Sequence, residues 1–118
     1  MNAQTHFEKA ERLASAQTKL DPATDWESIV EGCYMAAYNY VPAGAEWLGV
    51  QHKQNHMHKQ NVSLLRQANA PQAVREAWDQ LETKRAGNVY GAKTNGVTSA
   101  EARRLLQTIH DWVAGLRP

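Results

Sequence analysis

Apolar residues recur along this chain at intervals of three and four, the spacing of helices that bury one face. Between Ala3 and Leu20, Phe7, Ala10, Ala14 and Gln17 fall on one side, and Lys9, Glu11 and Arg12 lie outside it. That pattern predicts an amphipathic helix, with Asp21-Pro22 as its stop. From Asp25 a longer pattern sets Trp26, Ile29, Val30, Cys33, Ala37 and Tyr40 along one side. Tyr34, Tyr38 and Val41 occupy the opposite side, so this helix must be covered from two directions. A central place in a bundle or a dimer interface meets that need. Pro42 removes a backbone donor inside the pattern and predicts a kink or a restart, with Ala45, Trp47 and Leu48 packing beyond it.

Residues 51–60 are polar, and the helical pattern returns with Val62, Leu64 and Leu65 before Asn69-Ala70-Pro71. Proline suits a first helical turn, so Pro71 is expected to open the next helix, in which Val74, Trp78 and Leu81 form a stripe. Continuing that stripe by four residues leads to Arg85. Gly87, Gly91 and Gly96, with Asn88, Thr94 and Asn95 between them, make 87–97 the most loop-like stretch. Thr98 and Glu101 match a capping box, after which Ala102, Leu105, Leu106, Ile109, Trp112, Val113 and Leu116 form a clean stripe. With no strand-period segment, the expectation is an all-α, antiparallel up-and-down bundle of four to five helices, one domain over 1–118. Its core is expected to hold Trp26, Ile29, Cys33, Trp78, Leu81, Leu105, Ile109 and Trp112.

Composition narrows the function. Apolar residues make up 42% of the chain and charged residues 21%, enough to close one core under a wet surface. The formal charge is +1, so no global field draws in nucleic acid or an anionic membrane, and any phosphate site must be local. No segment approaches membrane-spanning length, and Met1 to Lys9 lacks the apolar run of a signal peptide, so the cytoplasm is the expected compartment. The single cysteine, Cys33, sits among apolar residues and reads as a core thiol rather than a nucleophile.

Few constellations carry chemistry. His52, His56 and His58 include an i, i+4 pair, but flanking Lys53 and Lys59 and the lack of a further ligand make a solvated polar stretch the better reading than a metal site. Gly-rich phosphate loops, nucleophile elbows and di-iron carboxylate patterns do not occur, so no cofactor or metal is expected. Two basic groups remain. In Lys84-Arg85-Ala86-Gly87-Asn88-Val89-Tyr90, Arg85 offers a planar fork for phosphate, Asn88 an amide, and Tyr90 a hydroxyl or a ring for stacking on a base. The alternative is that Arg85 pairs with a carboxylate of a neighbouring helix and Tyr90 caps the core. On the last helix, Arg103, Arg104 and His110 lie with Gln107 opposite the apolar stripe, and this face reads as solvated surface.

The order of these features resembles the HEPN family of small helical bundles, over residues 26–116. The helix from Trp26 to Tyr40 is similar to the aromatic, alanine-rich helix of those domains, and a polar, histidine-containing stretch follows it. Arg85 with Tyr90 five positions later resembles the family's Arg followed after four to six residues by His, with Tyr90 in the His place. The resemblance implies metal-independent action on RNA at Arg85 and Tyr90, phosphate contacts from Arg85, Asn88 and Lys84, and Arg104 with His110 as a second Arg-to-His candidate. It also implies a homodimer that combines two motifs and a nucleotidyltransferase as antitoxin partner. Tyrosine titrates near pH 10 when unperturbed, so Tyr90 is a poorer base than histidine at neutral pH. Binding of RNA or a nucleotide phosphate is therefore the expected function, with cleavage weak or lost; a protein-interaction module is the alternative.

Overall fold

The long pattern that begins at Asp25 becomes a 22-residue helix, α2 (Trp26–Trp47), on which the rest of the chain is laid. The computed structural model describes the backbone of residues 2–51, 58–90 and 96–118, and side chains for 2–51, 60–85 and 98–118. Around α2 stand α1 (Ala3–Gln17), α3 (His58–Gln67), α4 (Gln72–Tyr90) and α5 (Gly96–Leu116), an all-α bundle without strands among the described residues. All four outer helices pack on α2, and α4 also packs on α5 and α3. No described helix is long and apolar enough to cross a membrane.

Being surrounded makes α2 apolar on nearly every side. Ile29, Val30, Cys33, Tyr34, Ala36, Ala37, Tyr40 and Val41 are all buried. Tyr34 and Val41, the face assigned above to a second layer or a dimer, are covered within the chain, with Tyr34 stacked on Trp78 of α4 at 5.3 Å between ring centres. Tyr38, on the same face, is half-buried. Trp26 and Trp112 are only half-buried, which corrects their placing in the core; Ile29, Cys33, Trp78, Leu81, Leu105 and Ile109 are buried as expected. Trp26 opens its helix, where neighbouring helices no longer surround it, and Trp112 lies across the outside of Gly44.

Polar atoms on an enclosed helix need partners from its neighbours. Pro42 has no N–H, so within an unbroken helix the Tyr38 carbonyl loses its usual donor. Asn61, fully buried on α3, donates its side-chain amide to that carbonyl at 3.3 Å. Of the expected kink or restart at Pro42, the restart does not occur, since α2 continues to Trp47. Asn39 donates Nδ2 to the Met35 carbonyl at 2.9 Å, so its Oδ1 is the acceptor for His6 Nδ1 at 3.1 Å. This contact fixes a proton on His6 Nδ1.

Three boundaries differ from expectation. The first helix ends at Gln17 rather than Leu20, where Arg103 of α5 donates to the Gln17 and Leu20 carbonyls at 2.8 and 3.3 Å. Helix α4 starts right after Pro71, whose carbonyl receives Val74 and Arg75 N–H, but it runs past Gly87 to Tyr90 instead of opening into a loop. Helix α5 begins at Gly96, so the Thr98–Glu101 pair lies inside it and Glu101 pairs with Lys84. The remainder of the glycine-rich stretch, 91–95, lies outside the described residues.

Close approach of α5 to α2 depends on Gly44. A Cβ there would meet the Trp112 ring at 2.8 and 3.0 Å and the Val113 methyl at 3.2 Å. Gly44→Ala is expected to lower stability by about 1–3 kcal/mol in urea denaturation, as overpacking does, and to cost much less when Trp112→Ala is already present. Equal costs in the two backgrounds would show that the ring is not what the methyl meets.

Candidate functional site

Arg85 leaves the apolar stripe of α4 toward α2. Its Nε donates to both carboxylate oxygens of Glu31, at 3.3 and 3.2 Å, and the guanidinium lies over the Tyr34 ring at 4.8 Å from its centre. The side chains of Arg85 and Glu31 are 36% and 43% exposed, so the cation stays in contact with water while its orientation is set from below. Lys84 beside it reaches Glu101 of α5, and this ammonium holds the Glu101 carboxyl below its ordinary range, with a smaller contribution from Arg104. Of the expected site residues, Lys84 and Arg85 thus stand together at the C-terminal part of α4. Asn88 and Tyr90 follow on the same helix, and their side chains lie outside the described residues. In helical register the Arg85 and Asn88 positions are neighbours, while the Tyr90 position is about 140° around the axis from Arg85.

The second pair does not come together as a pair. Arg104 is exposed, whereas His110 turns to α1 and meets Glu11 Oε1 with Nε2 at 3.3 Å and Asp111 Oδ1 with Nδ1 at 3.0 Å. The Tyr40 hydroxyl donates to the same Glu11 oxygen at 2.6 Å, and the Tyr40 ring sits edge-on to His110 at 5.5 Å. Burial, with the hydrogen bond and charge of Glu11 added, raises the Tyr40 pKa above its ordinary value. Asp111 is held below the usual carboxylate range by its hydrogen bonds from His110 and then Gln107. Glu11, Tyr40 and His110 line a groove of about 430 Å³ between α1 and α5, which is also lined by Arg103, whose Nε donates to Gln17 Oε1 at 2.8 Å. The face read as solvated surface is therefore turned partly inward.

Glu11, Tyr40 and Glu31 carry no motif, and sequence patterning missed their part in these sites. Glu11 lay on the polar side of its helix and Tyr40 among core residues. The visible signals were Arg85, a cation in register with an apolar stripe, and His110 on the polar face of the last helix. No group of histidine, cysteine and acidic side chains fit to hold a metal occurs among the described residues. His52 and His56 fall outside them, as does the side chain of His58. Comparison of the chain with protein-family models, curated proteins and solved structures finds no match.

Cys33 is fully buried, and burial pushes its thiol up to about 12 against a weaker opposing influence of Arg103. The thiolate is the reactive form, so at pH 8 the folded protein should resist a thiol-specific reagent and react fully once unfolded in urea. Rapid labelling of the native chain would contradict that burial.

Proposed function

We propose that this chain is an HEPN-like RNA- or nucleotide-phosphate-binding protein whose site is built on the C-terminal part of α4. One observation carries the reading. Arg85 is anchored through Nε on Glu31 and lies on the Tyr34 ring, which pre-orients a half-exposed guanidinium at low entropic cost. Among the described residues its Nη groups donate no hydrogen bond, and that edge is the one suited to a phosphate. Lys84 adds positive charge beside it. Asn88, one helical turn on, supplies an amide, and Tyr90, further around, supplies a hydroxyl or a ring for a base. Tyr90 in place of a histidine favours binding over turnover at neutral pH. A second copy bringing its own Arg85, and a nucleotidyltransferase partner, belong to this reading through the resemblance alone.

A protein-interaction module, in which Arg85 is a bridge between α4 and α2, is favoured by one feature: Lys84 and Arg85 each already face a carboxylate. A half-exposed ion pair contributes only about 0.2–1 kcal/mol, so Arg85→Ala should fold. Incubating wild-type protein and Arg85→Ala with labelled RNA, without added metal, separates the two readings. Salt-sensitive binding or slow cleavage by the wild type, weakened about ten-fold or more in the variant, is expected. No interaction by either protein would leave Arg85 as a bridge only.

A further inference from the structure

Helices α1 and α5 both lie on α2 without close backbone approach to each other among the described residues, so side chains span the space between them. The resulting groove of about 430 Å³ falls within the roughly 300–1,000 Å³ of small-molecule sites. Its floor is apolar, made by Ala14, Leu106 and the buried Tyr40.

The polar groups around that floor are already partly committed, and what they leave uncommitted defines the ligand. Arg103 is occupied by Gln17 Oε1 and by the Gln17 and Leu20 carbonyls. The Gln107 amide nitrogen donates to Asp111 at 2.7 Å. Tyr40 and His110 both engage Glu11 Oε1. Among the described residues Glu11 Oε2 and Gln107 Oε1 take no hydrogen bond, so the Glu11 and Gln107 side of the groove presents acceptors, and the Ser15 hydroxyl, able to donate or accept, also lines it. A cation would meet Arg103, and an anion would meet Glu11. A neutral ligand with an amine donor on its edge, flat enough for a shallow apolar floor, fits both constraints.

We propose that the α1–α5 groove binds an amino-substituted nucleobase of the cytosine type, its exocyclic amine donating to Glu11 and its ring resting on the apolar floor. Glutamate accepting from the cytosine amine is an established mode of base discrimination, and rings and amides complete such sites. The site needs no phosphate and stands apart from Arg85.

Cytidine and uridine differ at this edge by an amine against a carbonyl, with N3 an acceptor in the first and an N–H in the second, and carry no phosphate, so they test the groove without involving Arg85. Titration of the full chain by calorimetry, with amide and Gln side-chain resonances followed by NMR, should show cytidine bound about ten-fold more tightly than uridine. Glu11→Gln should erase that preference, and Gln107→Ala, an exposed position, should weaken cytidine binding without unfolding the chain. Displacement of cytidine by a cytidine trinucleotide would place the base within RNA, and retention of cytidine would mark a free nucleoside; either result supports the base site. Equal affinities for the two nucleosides, no binding of either at millimolar concentration, or cytidine binding unchanged in both variants would overturn it.

Discussion

Helix α2 is enclosed on nearly every side, and an enclosed helix cannot leave polar atoms to water. Four such groups on α2 are met by a side chain from another helix: Asn39 by His6 of α1, the Tyr38 carbonyl by Asn61 of α3, Tyr40 by Glu11 of α1, and Glu31 by Arg85 of α4. Hydrophobic burial is non-directional and leaves the rotation of the outer helices open. These polar contacts are directional and supply register. Burying a donor or acceptor without its partner costs about 1–3 kcal/mol, comparable with a large part of a small domain's margin, so the pairings are specified rather than incidental.

The same constraint shapes both candidate sites. Arg85 and Glu11 serve α2 first, each giving one edge to a residue on that helix. Because the contacts are made through Nε in one case and through one carboxylate oxygen in the other, each group keeps a second edge at the surface. That arrangement holds a charged side chain still without consuming it. It also explains how a chain with a formal charge of +1 can offer a local cationic point on α4 and an acceptor-lined groove between α1 and α5.

The helices were legible because their stripes are regular: α1 and α5 bury Phe7, Ala10, Leu105 and Ile109 as their spacing requires. Periodicity states which face a residue occupies, not whether a neighbour reaches that far, and so Trp26 and Trp112, set near helix ends, were misplaced. Gly87 reads as a helix stop by local preference, a penalty of only about 1 kcal/mol. Lys84 and Arg85, tied to α5 and α2 in the preceding turn, stand against that penalty. Pro42 breaks isolated helices, yet its effect is offset here by an amide 19 positions further along the chain. The candidate sites were half legible for a related reason. Arg85 and His110 stood out by type and register, but their partners Glu31 and Glu11 are brought to them only by the fold.

Whether the polar atoms of α2 are truly satisfied from outside is decided at Pro42 and Asn61. In a double-mutant cycle read by urea denaturation, Asn61→Ala should cost about 1–3 kcal/mol beside Pro42, because the Tyr38 carbonyl is left without a donor. With Pro42→Ala, the restored N–H can bond that carbonyl, and the cost should fall by about 1 kcal/mol, the cavity left by the missing amide cancelling between the two backgrounds. Strict additivity of the two substitutions would contradict the role of Asn61 as the donor that lets α2 pass through its proline unbroken.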